Sequence, residues 1–109
     1  MSRPTDLVQG TVDLLILKIV ALEPRHGWSI AQRLRQVSND VLKLNQSALY
    51  PALHRLEKQG WLEPEWRTSE TGRRAKYYVL TAAGRRRLQK ELVAWRRLSS
   101  AISLVTELG

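Results

Sequence analysis

The sequence predicts a mainly α-helical fold that has one small β-hairpin and ends in a long helix. Before residue 60, apolar residues recur in three segments at the roughly 3.6-residue period of a helix. Two short segments rich in β-forming residues then flank a polar turn that contains Gly72. After residue 81 the helical pattern returns and continues to about residue 108 without a proline. We therefore predict two parts, residues 1–81 and a C-terminal helix at residues 82–109.

The composition is that of a globular protein and excludes disulfide and thiolate metal chemistry. Hydrophobic residues make up 43% of the 109 residues, charged residues make up 26%, and there is no cysteine. The apolar run from Leu14 to Leu22 is interrupted by Lys18 and is far shorter than the roughly 20 residues of a membrane span. We expect a protein of the reducing cytoplasm that has no membrane segment, no metal ion and no cofactor.

The positive charge is concentrated in one segment of the chain. The formal net charge is +8 and the sequence pI is about 10.6. Residues 1–66 hold eight Lys/Arg against seven Asp/Glu, whereas residues 67–97 hold ten against two. A segregated basic segment in a globular protein predicts a polyanionic partner, of which nucleic acid is the first to consider.

The first two predicted helices precede the central one. After a tail at residues 1–5, a helix runs from Leu7 to Leu22, and from Leu14 onward it is apolar on nearly every side. Such a helix needs cover on most sides, from the C-terminal segment or from another subunit. A proline and a glycine within residues 23–27 end it. The second helix is predicted from Trp28 to about Ser38, and its apolar positions at spacings of four and three are Ile30, Leu34 and Val37.

The central predicted helix, residues 45–60, has two different faces. Its apolar face comprises Leu49, Ala52, Leu53 and Leu56. Its polar face contains no acid and comprises Ser47, Tyr50, Pro51, His54 and Lys58. These groups suit phosphates and base edges in a DNA major groove, and the alternative is an ordinary solvated surface. Asn45 is the predicted N-cap. Because a helix interior disfavours proline, we expect an irregular first turn or a regular helix that begins nearer Ser47.

Trp61–Arg67 and Lys76–Thr81 are the two predicted strands of a hairpin. The first alternates like a half-buried strand at a sheet edge, and its apolar positions are Leu62, Pro64 and Trp66. The connection, residues 68–75, forms a tip that carries Arg73 and Arg74. Two helices at a short turn followed by a basic hairpin make a winged helix-turn-helix. The tip of such a wing lies beside the DNA backbone or in the minor groove.

The C-terminal helix, with Thr81 as its predicted cap, carries a long apolar stripe. The stripe comprises Leu88, Leu92, Trp95, Leu98, Ile102 and Val105. A body of about eighty residues cannot bury a stripe of this length, so a second subunit is the expected cover. The alternative is that the helix packs back across the first helix of the same chain. The run Arg85–Arg87 opposes the helix dipole near the N-terminus, which favours an anion nearby.

The sequence resembles the PadR family of bacterial transcriptional regulators, in its short form with one C-terminal helix. The resemblance covers residues 7–105, and its motifs lie at residues 26–31, 49–57, 60–62, 72–78 and 80–85. The segment LYPALHRLE is the most specific of them. One departure is that Ser47 and Ala48 replace the usual Gly followed by Ser or Thr. The hydroxyl is therefore moved back by one position, to the face that carries Tyr50.

The resemblance implies a dimeric, DNA-binding repressor that acts on a near-palindromic operator in a bacterial cytoplasm. The candidate DNA contacts are Gln46, Ser47, Tyr50, His54, Lys58, Arg73, Arg74 and Lys76. The resemblance also implies that the C-terminal helices form the dimer together with the first helix, so the candidate dimer contacts are Leu14, Leu88, Leu92, Trp95, Leu98, Ile102 and Val105. Some relatives bind flat aromatic or hydrophobic effectors near this interface. Trp95 is the candidate ligand contact here, and the alternative is that it only packs the interface.

Three other functions fit the sequence less well. An enzyme would need a catalytic constellation, but His26 and His54 have no cysteine, metal-ligand spacing or paired acids placed near them. A winged-helix module that has lost DNA binding would be expected to lose its basic wing, which this chain retains. Double-stranded RNA is disfavoured because its major groove is too narrow for the central helix.

Overall fold

The structure, a computed structural model, describes residues 9–109, and this range contains four α-helices and one three-stranded antiparallel sheet. In chain order the elements are α1 (Gln9–Leu22), β1 (Arg25–His26), α2 (Gly27–Val37), α3 (Gln46–Lys58), β2 (Leu62–Thr68), β3 (Arg74–Leu80) and α4 (Ala82–Thr106). The strand order is β1-β3-β2. The predicted mainly α fold with a hairpin wing and a long C-terminal helix is confirmed. The predicted tail and the predicted helix start at Leu7 lie outside the described residues.

The core lies where α1, α2 and α3 meet the base of the sheet. Its largest fully buried side chains are Ile16, Leu17, Ile30, Leu49, Leu53, Leu56 and Leu62. The four residues predicted for the apolar face of α3 are all at most 2% exposed, so that prediction is confirmed. In α2, Ile30 and Leu34 are buried as the spacing predicts, whereas Val37 is 53% exposed. Val37 is the last residue of α2, so it lies past the part of the helix that packs on the core.

The first turn of α3 is regular, so of the two expected alternatives the structure has the regular helix, which begins one residue before Ser47. The helix begins at Gln46, and the side chain of Asn45 caps it by accepting a hydrogen bond from the Ala48 N–H at 3.0 Å. Pro51 leaves the carbonyl of Ser47 without its helical donor. Both residues are exposed, so water can hydrogen-bond to that carbonyl in place of the missing N–H.

The sheet differs from the sequence prediction in two ways. The two-residue strand β1, which pairs with β3, was not predicted at all. β2 is an edge strand as expected, but its half-buried pattern is wrong, because Leu62 is its only buried residue and Trp66 is 57% exposed. The outer part of the hairpin extends past the helices. The side chains of β2 still alternate between the two faces of the sheet there, but both faces are exposed.

α4 begins in the core and then leaves it. The Thr81 hydroxyl accepts a hydrogen bond from the Gly84 N–H at 2.9 Å, which confirms the predicted cap. Gly84 lies directly against the backbone carbonyl of Trp61, a contact that leaves no room for a side chain. Leu88 is 3% exposed, whereas Leu98 is 54% exposed. The described chain therefore has an elongated shape of 56 × 28 × 23 Å.

Candidate nucleic-acid interface

The polar face of α3 is the first part of the candidate site, and it is open to solvent. Ser47, Tyr50, Pro51, His54 and Lys58 are all exposed, as is Gln46. The Ser47 hydroxyl donates a hydrogen bond to the side-chain oxygen of Asn45 at 2.7 Å. This hydroxyl therefore belongs to the helix cap, and its lone pairs stay free to accept a hydrogen bond.

The ring of Tyr50 rests on the first residue of α2. A Cβ added at Gly27 would lie 2.8 Å from Cε1 and 3.4 Å from Oη of Tyr50, which is closer than real Cβ contacts allow. A side chain at position 27 would therefore have to displace the Tyr50 ring. The contact sets the direction in which the Tyr50 phenol leaves α3, and Tyr50 remains 44% exposed.

Lys76, predicted as a wing contact for DNA, is engaged by the protein itself. Its Nζ lies 3.1 Å from Oε1 of Glu57 on α3 and 5.4 Å from the centre of the Tyr78 ring. The hydrogen bond to Glu57 raises the pKa of Lys76 above its ordinary value. Lys76 therefore links the wing strand β3 to α3.

The tip of the wing carries the more available basic groups. Arg73 and Arg74 are both exposed, and the guanidinium of Arg74 lies 5.9 Å from the centre of the Trp66 ring. Arg67, which sequence reasoning did not select, forms an ion pair with Glu65 at 2.5 Å and lies over the ring of Tyr77 at 5.5 Å. Arg73 and Arg74 are thus better placed than Arg67 to meet a phosphate.

A cleft separates the wing from α3. It holds a cavity of about 390 Å³ that is lined by His26, Gly27, Trp28, Tyr50, Lys76 and Tyr78. A second cavity of about 730 Å³ lies between the wing tip and α2, with Arg25, Ser29, Gln32, Arg73 and Tyr77 among its lining residues. The candidate surface is therefore a helix face and a basic hairpin on either side of a concave groove.

The candidate dimer residues fall into two groups. Leu14 is 7% exposed and Leu88 is 3% exposed in a single chain, so the fold itself already covers them. Leu92 is partly buried against the same core. The remaining four are exposed by 44% to 67% and comprise Trp95, Leu98, Ile102 and Val105. The alternative in which α4 packs on α1 therefore describes the start of α4, and the rest of the stripe is open.

Arg87 and Arg55 form ion pairs within the chain. Arg87 belongs to the arginine run at the start of α4, and Arg55 was not selected from the sequence. Arg87 forms an ion pair with Glu91 at 2.6 Å, and its guanidinium lies 4.7 Å from the centre of the Trp61 ring. Its charge near the start of α4 is therefore met without an outside anion, while Arg85 and Arg86 are exposed. Arg55 forms an ion pair with Asp13 that joins α3 to α1 and that no sequence pattern indicated.

The described residues contain neither a metal site nor a membrane-spanning helix. Within residues 9–109, no cluster of His, Cys, Asp and Glu side chains has the arrangement to hold a metal ion. None of the helices in that same range has both the length and the apolar character needed to cross a membrane.

An exposed polar helix face beside a basic hairpin, on this arrangement of helices, defines a winged helix-turn-helix regulator of transcription. The family model of the transcriptional regulator PadR-like family matches residues 16–90. The chain belongs to that family, whose members bind DNA.

Relatives of known sequence and structure agree with this assignment. A transcriptional regulator of Mycobacterium tuberculosis is 34% identical over 94 residues, which cover 86% of this chain and 84% of that protein. The crystal structure of a Streptococcus mutans protein has a TM-score of 0.81 at 30% identity, over 98% of this chain and 95% of that one. A PadR family transcription regulator from Clostridium difficile has a TM-score of 0.76 at 28% identity, over 87% of this chain and 97% of that one.

Proposed function

We propose that the protein is a sequence-specific repressor that binds double-stranded DNA as a homodimer and catalyses no reaction. The observation that carries the proposal is the exposed polar face of α3, where the carboxylate of Glu57 is paired with Lys76 and which lies beside a wing whose tip presents Arg73 and Arg74. Base edges in the major groove are read by such polar side chains, while arginines on a wing hold phosphates. A repressor of this kind acts where the bacterial chromosome is, in the cytoplasm.

The homodimer is supported by the open apolar part of α4. Four large side chains of the stripe are exposed on a helix that projects from the body, and such a surface on a soluble chain is typical of an interface. Leu14 and Leu88, which the core already buries in each chain, would lie next to this interface through α1 and the start of α4. We propose that the chain is divided into residues 1–81 and 82–109. The first turns of α4 share the core of the first part.

Two α3 helices related by a two-fold axis would read a near-palindromic operator. The half-sites would lie one helical turn apart, at about 34–36 Å, because both helices must enter the major groove on the same side of the duplex. Selection of binding sites from random duplex DNA tests this. A symmetric consensus supports the proposal, and recovery of no consensus contradicts it.

Trp95 is the proposed contact for a planar aromatic or hydrophobic effector. It is 44% exposed at the start of the open stripe, so two copies could face each other across the dimer axis and hold a flat ligand between them. A ligand there would change the angle between the two α4 helices and hence the separation of the two α3 helices. The test is a shift in operator affinity on adding planar aromatics, with Trp95→Phe as the control.

A further inference from the structure

Two exposed aromatic side chains line the cleft between α3 and the wing, and a third, Trp66, lies on the cleft side of the wing. Trp28, Tyr50 and Trp66 are exposed by 38%, 44% and 57%. Trp28 and Tyr50 line the cavity between α3 and the wing. Trp66 pairs across the β2–β3 ladder with Lys76, which lines the same cavity. Directly paired residues of antiparallel strands point to the same side of a sheet, so Trp66 lies on the cleft side of the wing.

The cleft opens beside the polar face of α3. Tyr50 and Glu57 are seven residues apart, which places them on one side of the helix, and Glu57 is the residue that Lys76 reaches across the cleft. His54 lies between them along the same side and is exposed. Any duplex that meets the polar face of α3 therefore brings one of its strands to the mouth of this cleft.

The surface of the cleft combines aromatic rings with basic groups. The Lys76 ammonium in the cleft lies over Tyr78 at 5.4 Å, and the Arg74 guanidinium, which lines the neighbouring cavity at the wing tip, lies 5.9 Å from the centre of the Trp66 ring. A DNA strand presents the matching alternation, because each charged phosphate is followed by the apolar face of a deoxyribose. Neither Trp28 nor Trp66 belongs to the buried core, and 38% and 57% of their surfaces remain open to solvent.

We propose that Trp28 and Trp66 contact the deoxyriboses of the DNA strand that runs between α3 and the wing. This inference rests on the proposed function and adds a contact that is independent of both base sequence and charge. Sugar contacts position a protein on the duplex and carry no sequence information, so the two tryptophans contribute equally to specific and non-specific binding.

The first test uses a random-sequence duplex of about 25 base pairs at low salt, at which the electrostatic part of binding is strong. Trp28→Ala and Trp66→Ala each weaken binding by about three- to tenfold, the factor expected when a partly covered aromatic contact is lost. Neither variant changes the slope of log K against log salt, because a sugar contact releases no counterions. Arg74→Ala is the comparison, since it lowers that slope. Leu22→Ala is the matched control: this side chain is 64% exposed and lies outside the cleft lining, so its loss leaves binding unchanged.

The second test reports on the indoles themselves. The full chain labelled with 5-fluorotryptophan gives four ¹⁹F signals, which single Trp→Phe variants assign to Trp28, Trp61, Trp66 and Trp95. The random-sequence duplex shifts the signals of Trp28 and Trp66 and leaves that of Trp61. Inorganic polyphosphate carries phosphate charge but no sugar, so it should not shift the ¹⁹F signals of Trp28 and Trp66.

The outcomes separate this inference from the proposed function. A wild-type protein that binds no duplex overturns the proposed function itself. If the duplex binds and Arg74→Ala weakens it, but both tryptophan variants bind like the wild type, the cleft contact is wrong and the proposed function stands. Equal shifts with polyphosphate and DNA would also overturn the contact. Shifts caused only by a planar aromatic compound would assign the cleft to an effector instead.

Discussion

Lys76 on the wing and Glu57 on α3 lie 3.1 Å apart, between Nζ and Oε1, and this ion pair joins the two parts of the candidate DNA surface. The pair crosses from one element to another, so it helps to hold the wing against α3. The hydrogen bond to Glu57 raises the pKa of Lys76 above its ordinary value, so the lysine keeps its charge to a higher pH than a free side chain would. The stabilisation it brings is fully present below the unfolded pKa of about 10.4 and is lost as the pH rises through the higher folded value.

Exchange of the two charges distinguishes a bracing role, in which Lys76 holds the wing against α3 through Glu57, from a direct contact between Lys76 and a DNA phosphate. Lys76→Glu alone places two carboxylates together and weakens DNA binding. The double variant Lys76→Glu/Glu57→Lys restores the pair with the same net charge, so a bracing role predicts that affinity returns to within about threefold of wild type. Affinity measured by fluorescence anisotropy decides the matter. A double variant as weak as the single one would show that Lys76 contacts phosphate itself.

Gly27→Ala is predicted to weaken operator binding through Tyr50. The added methyl would come within 2.8 Å of the Tyr50 ring, and because that ring ends an exposed side chain it can move aside without unfolding the protein. The phenol then leaves its present direction, and we expect a loss of about 1 kcal/mol, the worth of an ordinary hydrogen bond.

The coupling between the two residues is tested in a double-mutant cycle. In a Tyr50→Ala background, Gly27→Ala should have no further effect on operator affinity, since the ring it displaces is gone. The melting temperature of the Gly27→Ala variant should equal that of the wild type or be slightly higher. Equal losses of affinity in both backgrounds would contradict the proposed positioning of Tyr50 by Gly27.

Gly84→Ala is predicted to destabilise the body. The methyl would overlap the Trp61 carbonyl and approach Leu80 Cδ1 to 2.8 Å, and the Trp61 backbone cannot move aside inexpensively. Overpacking of this kind costs about 1–3 kcal/mol, more than the helix gains from alanine. The melting temperature should fall by about 4 °C or more.

Gly10 supplies the control for that substitution. It lies in α1 with nothing within 4 Å of an added Cβ, so Gly10→Ala should raise stability by up to about 1 kcal/mol. The same substitution thus has opposite signs at two helical glycines. A neutral Gly84→Ala would mean that α4 does not approach Trp61 as closely as described.

Exchange of two apolar residues on α4 for acids is predicted to dissociate the homodimer. Leu92→Glu combined with Ile102→Glu places charge on the stripe, and sedimentation at micromolar concentration should then give about 12.5 kDa in place of twice that mass. Operator affinity should fall as well, because each half-site then binds alone. A wild-type chain that sediments as a monomer would contradict the proposed dimer.

Local patterns in the sequence were sufficient for the four helices, for the hairpin and for the two faces of α3. The apolar positions 49, 52, 53 and 56 share one side of any helix, and Asn45 and Thr81 are caps by residue type. Contacts between distant residues have no such pattern. The Asp13–Arg55 pair spans 42 positions, and the link between Lys76 and Glu57 exists only once the wing folds against α3.

The sequence also did not indicate which side chains of the wing are exposed. Alternation along β2 assigned Trp66 to the side of Leu62, which is correct, since both pair with β3 residues on that face. Whether anything covers that side depends on how far the helices extend over the hairpin. The two residues of β1 gave no signal because a strand of that length has no period, and it forms only by pairing with Tyr77 and Tyr78.

The central claim, that this chain is a dimeric reader of duplex DNA, is tested most directly by the affinity for a selected duplex as salt is varied. If each subunit neutralises three or four phosphates, log K should fall against log salt with a slope of about −5 to −7, and an unrelated duplex should bind at least about a thousandfold more weakly. A slope near −1, or equal affinity for both duplexes, would contradict the account.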